Sequence, residues 1–146
     1  MTEYNQTDEI KMKTALITGC LGQDGTYLTE HLLGLGYRVV GLLRKTPLSS
    51  EYAVKWLANV VQSGRVEFVF GDMRDEASLR SAVKKAWPDE IYNLAGQVYV
   101  PLSWEQPEYT FDVNTGGLGR LLKIVEQVKK CPSGALSYFM NGEGKK

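Results

Sequence analysis

Thr18-Gly19-Cys20-Leu21-Gly22-Gln23-Asp24-Gly25 decides the fold of this chain. It follows the apolar run Thr14-Ala15-Leu16-Ile17 and precedes a helical pattern, Thr26 to Leu35. Strand, glycine turn and helix in that order convert a glycine spacing into a phosphate-site expectation. Glycine serves where backbone turns tightly or must approach a ligand without a Cβ. The first helical N–H groups carry about half a positive charge from the helix dipole, which favours a pyrophosphate. A tight turn without a ligand is the plainer alternative.

Outward from this stretch, apolar strands and helical patterns alternate. Strands are expected over Lys13–Thr18, Tyr37–Leu43, Val66–Phe70, Glu90–Leu94 and Ala135–Met140. They are short and rich in Val, Leu and Ile, as in a parallel sheet covered on both faces. The first helix is expected from Asp24 to Leu35, with Tyr27, Leu28, His31, Leu32 and Leu35 as its face and Gly36 ending it. A second covers Glu51–Gln62, with Val54, Leu57, Ala58 and Val61 inward. Asp75 caps a third, which carries Ala77, Leu79, Ala82, Val83 and Ala86 and stops at Trp87-Pro88. Ala95–Pro107 reads as a long loop. A last helix begins near Glu108 or Asp112 and ends near Lys130. Its glycines Gly116, Gly117 and Gly119 disfavour helix by about 1 kcal/mol each, which a close approach to sheet or ligand would explain. The expected fold class is α/β, a doubly wound parallel sheet of Rossmann type with strand order 3-2-1-4-5. Residues 1–12 are expected as a flexible leader, 13–140 as the nucleotide-binding domain and 141–146 as a flexible tail.

Lys plus Arg and Asp plus Glu both number 17, so no basic excess points to nucleic acid. Cys20 and Cys131 make neither a metal spacing nor a disulfide framework and read as small apolar side chains. Met1–Lys13 is polar and lacks the apolar stretch of a signal peptide. No run approaches the ~20 apolar residues of a membrane span. The expected setting is cytoplasmic.

The cofactor side is read from strand ends. Arg44-Lys45 stands where an NAD site usually has an acidic residue. A guanidinium there pairs with a 2′-phosphate, favouring NADP over NAD; two solvated cations are the alternative. Asp72 is either an acceptor for the adenine amino group or an ordinary turn aspartate. Asn93-Leu94-Ala95-Gly96-Gln97 ends the fourth strand with small residues at the switch point, or merely covers the core. Tyr109 and Asn114 either reach the cofactor or pack and cap. His31 reads as a surface or boundary residue.

Together these residues resemble the GDP-mannose 4,6-dehydratases, extended short-chain dehydrogenases/reductases of the NAD-dependent epimerase/dehydratase type. Thr18 to Gly25 resembles the family fingerprint T-G-x-x-G-Q-D-G, and Arg44-Lys45-Thr46 its basic NADP loop. Gly71-Asp72-Met73, Ile91-Tyr92-Asn93-Leu94-Ala95-Gly96-Gln97, Pro107-Glu108-Tyr109-Thr110 and Asp112-Val113-Asn114 are similar to further family runs. The likeness covers about Lys13 to Lys130. It implies that Gly19, Cys20, Leu21, Gly22, Gln23 and Asp24 hold the pyrophosphate, with Gly25 also among the cofactor-binding residues, and that Arg44, Lys45, Thr46 and Pro47 hold the adenosine phosphate. It implies that Asp72 and Met73 flank adenine, with Leu94, Ala95, Gly96, Gln97, Val98 and Tyr109 on the nicotinamide side. Val98 stands where the family has Ser or Thr. The implied reaction oxidises C4 of GDP-mannose by hydride transfer to NADP, removes water across C5 and C6, and returns the hydride to C6.

The family's S-[ST]-S-E-like run is replaced by Met140-Asn141-Gly142-Glu143-Gly144, and no Tyr is followed by Lys four residues later. No catalytic residue is therefore assigned. The expectation is a truncated or frameshifted copy that ends before the substrate domain and binds NADP without turnover. GDP-mannose would bind only with a C-terminal half supplied. A nucleotide-sensing module pairing with a full-length relative, and a fragment of a sugar-nucleotide epimerase or reductase, are the alternatives. The chain is compatible with a homo- or hetero-oligomer.

Overall fold

Parallel strands β1 (Thr14–Thr18), β2 (Arg38–Leu43), β3 (Val66–Phe70) and β4 (Glu90–Asn93) form one sheet in the order β3-β2-β1-β4. The computed structural model describes residues 12–45 and 51–129. The expected order holds through four strands. The fifth, Ala135–Met140, lies outside the described residues, as do Thr46, Cys131, most of the expected leader and the whole expected tail.

Each crossover is helical, which parallel neighbours require. The helices are α1 (Gln23–Gly34), α2 (Glu51–Ser63), α3 (Glu76–Ala86), α4 (Val100–Glu105), α5 (Pro107–Phe111) and α6 (Gly117–Lys129). A π-helical turn, Asp112–Gly116, joins the last two. Side chains alternate across β1 and separate two cores. Leu16, with Val40, Leu42 and Val69, packs with Leu79 and Val83 of α3 and Leu121 and Ile124 of α6. Ala15 and Ile17, with Val39 and Val66, pack on the other face with Leu32 of α1 and the partly buried Val60 of α2.

The helix faces correct the sequence reading in two places. Tyr27 and Leu35 are exposed, and α1 instead buries Gly25, Thr26, Thr29 and Leu32. Small residues let the helix lie close to the strands, and Thr29 satisfies its hydroxyl by donating to the Gly25 carbonyl at 2.7 Å. In α2, Val54 and Val61 are exposed while Ala53 and Trp56 are buried. Trp56 Nε1 donates to Glu30 Oε1 at 3.2 Å, fixing α2 against α1. His31 is exposed, as expected.

Local signals account for the helix ends. Past α1, Tyr37 N–H donates to the Leu32 carbonyl at 3.0 Å and Gly36 N–H to Leu33 at 3.1 Å, a Schellman closure. Asp75 caps α3 by accepting from Ala77 N–H at 3.0 Å. Part of the expected 95–107 loop is helical, since α4 spans Val100–Glu105 with Pro101 in its first turn. Gln106, held out of the helical region before Pro107, separates it from α5. At the start of α6, a Cβ on Gly117 would come within 2.8 Å of Met73 Cβ, so this glycine permits a close approach to the turn after β3. Gly119 has open space beside it, and crowding does not account for it.

Candidate functional site

The chain runs β1, β2, β3 to one side and then returns to place β4 on the other. A cleft opens at the carboxyl ends of the strands where the direction reverses. A cavity of about 370 Å³ lies there. The β1–α1 turn supplies Gly19, Cys20, Leu21 and Gly22 to its wall. The ends of β2 and β3 add Leu42, Leu43 and Arg44, then Gly71, Asp72 and Met73. Leu94, Ala95, Gly96 and Val98 close the β4 side, with Ala53 of α2 and Val113 of the π-turn.

Backbone crowding shapes the glycine turn. Gly19 has φ +67°, and a Cβ there would lie 2.7 Å from the Leu94 carbonyl carbon. A Cβ on Gly25 would overlap the Gly19 carbonyl and lie 2.7 Å from Cys20 Cα. Two backbone segments therefore touch through missing side chains. Gly22 begins α1 without a side-chain cap. The helix's first N–H groups are thus not satisfied by a capping side chain at that position.

Thr18, fully buried, locks β1 to the loop after β4. Its hydroxyl donates to Asn93 Oδ1 at 2.6 Å and accepts from Ala95 N–H at 3.1 Å. Asp72 Oδ1 accepts from Arg74 N–H at 2.9 Å, while Asp72 N–H donates to Ser78 Oγ at 3.0 Å. These bonds fix the turn that carries Asp72 and Met73.

Asp112 holds the far side of that turn. Its carboxylate accepts from Arg120 at 2.5 Å and Arg74 at 3.1 Å. The bonds from Arg120, then Arg74, keep its carboxyl below the usual carboxylate range. Tyr109 lies under the Arg74 guanidinium, 5.1 Å from ring centre to carbon, and packs on the α3/α6 core. It does not line the cavity.

Gln97 also stands outside the cavity wall. Asn114, in the π-turn, brackets its backbone: Gln97 N–H donates to Asn114 Oδ1 at 2.7 Å, and Asn114 Nδ2 donates to the Gln97 carbonyl at 3.0 Å. Gln23, Asp24, Gly25 and Lys45 do not line the cavity either. Gln23 and Asp24 are exposed in the first turn of α1, Gly25 is buried behind it, and Lys45 Nζ sits 5.8 Å over the Phe70 ring. Thr18 and Asn114 brace the loop after β4, and Val113 lines the cleft. The T-G of the fingerprint signalled the first, and the glycine-rich start of the last helix hinted at the irregular turn that carries the other two.

Cys20 lines the cleft, yet its side chain is buried and its thiol donates to the Leu42 carbonyl at 3.5 Å. Burial pushes this thiol up to about 12. At pH 8 its thiolate fraction is on the order of one in ten thousand. In a Cys131→Ser chain, iodoacetamide at pH 8 is expected to label Cys20 at least tenfold more slowly in the folded state than in urea. Equal rates would contradict the burial.

The fold and cleft define a Rossmann-type unit of the epimerase/dehydratase class. UDP-glucose 4-epimerase of Thermus thermophilus, solved with NAD, superposes with a TM-score of 0.66 at 29% identity, covering 80% of this chain and 34% of that one. The Brucella ovis UDP-glucose 4-epimerase, also with NAD, gives 0.63 at 28% identity over 80% of this chain and 33% of that one. The chain belongs to the GDP-mannose 4,6-dehydratase family, whose model matches residues 16–137. It is 40% identical over 136 residues to GDP-mannose 4,6 dehydratase 1 of Arabidopsis thaliana, covering 89% of this chain and 37% of the relative. With the Yersinia enterocolitica GDP-mannose 4,6-dehydratase it shares 44% over 119 residues, covering 78% and 31%. The chain thus spans about a third of the length of the curated relatives it matches.

Proposed function

We propose that this chain is the NADP-binding part of a GDP-mannose 4,6-dehydratase-type enzyme. The observation that carries this is the glycine turn: its two backbone segments touch where Cβ atoms would stand, and α1 begins beside the cleft. A pyrophosphate fits that cradle, facing the N–H groups at the start of α1. Gly19, Cys20, Leu21, Gly22, Gln23, Asp24 and Gly25 form or support it. Asp72 and Met73 flank the adenine, and Leu94, Ala95, Gly96 and Val98 form the nicotinamide wall. Tyr109 and Gln97 support that site from behind. NAD in the two epimerase structures supports a nicotinamide dinucleotide here.

Arg44 supports the choice of NADP. It is exposed on the cleft wall at the end of β2, where a 2′-phosphate would stand. Lys45, engaged with Phe70, is the lesser contributor, with Thr46 completing the basic loop. A nicotinamide held here would supply the hydride acceptor and donor that the C4 and C6 steps of a GDP-mannose dehydration need. This chain's residues bind and orient the dinucleotide. Without a Tyr followed by Lys four residues on, they provide no such proton-transfer pair, so we expect binding without turnover. The free, buried thiol of Cys20 suits a cytoplasmic setting.

Calorimetric titration with NADP and NAD tests the reading. The wild-type chain is expected to prefer NADP. Arg44→Ala is expected to cut that preference by about tenfold or more, the value of one charge-assisted bond pair. GDP-mannose added with NADP should yield no dehydrated product. Absence of NADP binding, or an unchanged preference in Arg44→Ala, would overturn the assignment.

A further inference from the structure

The segment from Gln97 to Gln106 is held in an unusual way. Val98, Tyr99, Val100 and Trp104 are exposed, with Val98 at 87% and Trp104 at 84%, and α4 and α5 contain no buried residue. Apolar burial therefore does little to fix it. The Gln97 carboxamide stands in its place. Its Nε2 donates to the Tyr99 carbonyl at 3.0 Å and to Ser103 Oγ at 3.1 Å, and lies 3.3 Å from Thr110 Oγ1. Its Oε1 accepts from Tyr99 N–H at 2.5 Å. One side chain thus ties the segment's start to α4 and α5, while Asn114 brackets the same residue's backbone.

The residues on either side of Gln97, Gly96 and Val98, both line the cleft. We propose that Gln97 is a positioning residue for the nicotinamide end of the dinucleotide, acting through the Gly96 and Val98 wall rather than by touching the ligand. This rests on the dinucleotide reading above. The adenosine end lies across the sheet, beside β2 and β3, where the Gln97 bonds do not reach. The role is therefore confined to one half of the ligand.

The experiment compares two probes on the full 146-residue chain. NADPH spans the whole cleft; adenosine 2′,5′-bisphosphate occupies only the adenosine end. Gln97→Met keeps the length and removes every carboxamide bond, and Gln97→Glu keeps an acceptor and removes the donor. Both variants are expected to bind NADPH about tenfold more weakly, with 2′,5′-bisphosphate affinity within about twofold of wild type. The blue shift of nicotinamide fluorescence on binding should shrink in both. Amide exchange over residues 98–106 should quicken. Unchanged NADPH affinity would overturn the role. An equal loss for both probes would also overturn it, since Gln97 would then be a general stability residue. A wild-type chain that bound neither probe would instead overturn the site reading, and this role with it.

Discussion

Gly25→Ala is expected to destabilise the chain by about 3 kcal/mol or more and to abolish NADP binding. Helix propensity alone predicts the opposite sign, because Ala exceeds Gly by about 1 kcal/mol inside a helix. Space decides against propensity here. The new methyl would overlap the Gly19 carbonyl and lie 2.7 and 2.9 Å from Cys20 Cα and carbonyl carbon. All three are backbone atoms, so no rotamer relieves the contact. Moving them means displacing the turn, and Gly19 is itself pressed against Leu94 and Ala95. Gly34, at the other end of the same helix, has nothing within 4 Å of its Cβ position. Gly34→Ala is accordingly expected to be neutral or to stabilise by up to about 1 kcal/mol. Urea unfolding of the pair measures the contrast. Equal midpoints would show that the turn yields.

Thr18→Val is expected to cost about 2–4 kcal/mol, seen as a fall in melting temperature on the order of 10 °C. The shape of the side chain is kept, so a cavity is not the cause. The loss comes from two groups stranded at once: Asn93 Oδ1 loses its donor, and Ala95 N–H loses its acceptor. Thr18→Ser keeps the hydroxyl and is expected to lose about 1 kcal/mol, for a methyl group. NADP affinity should fall in the valine variant and hold in the serine variant, since Leu94 and Ala95 form cleft wall. If both variants melted alike, the hydroxyl would not be the holding group.

β1 and β2 were legible because each is a short run of largely apolar residues, a signal that survives without tertiary context; β3 and β4, which carry Glu67, Glu90 and Asn93, were legible from β-branched and aromatic residues between helical patterns. The register of the helices was less so. The contact face of α1 consists of Gly25, Thr26 and Thr29 with Leu32, and hydropathy scarcely counts the first three. It therefore favoured Tyr27 and Leu35, which point to solvent. In α2 the choice between Val54 and Trp56 depends on Glu30, a partner 26 residues away. The α4 helix has little sequence signal: its six residues begin with Val100 and Pro101, bury nothing and are followed closely by Pro107. Strand-end position alone puts Gly19 to Gly22, Arg44 and Asp72 at one sheet edge, and all of them stand on the cleft wall. The hydrogen bonding of Gln97 was not legible, because its carboxamide meets Tyr99, Ser103 and Thr110 and its backbone is bracketed by Asn114 in a π-turn 17 residues later. No periodic pattern announces such a turn.

The central place of β1 sets a schedule for the ribosome. Thr18 meets β2 early, but its hydroxyl partner Asn93 lies 75 residues further along. At about 5–20 residues per second, that partner is made roughly 4–15 seconds after Thr18. During this interval one edge of β1 has no neighbour, and Leu16 lacks the α6 side chains that will cover it. The nascent chain must carry an open strand edge and a half-built cleft until β4 arrives.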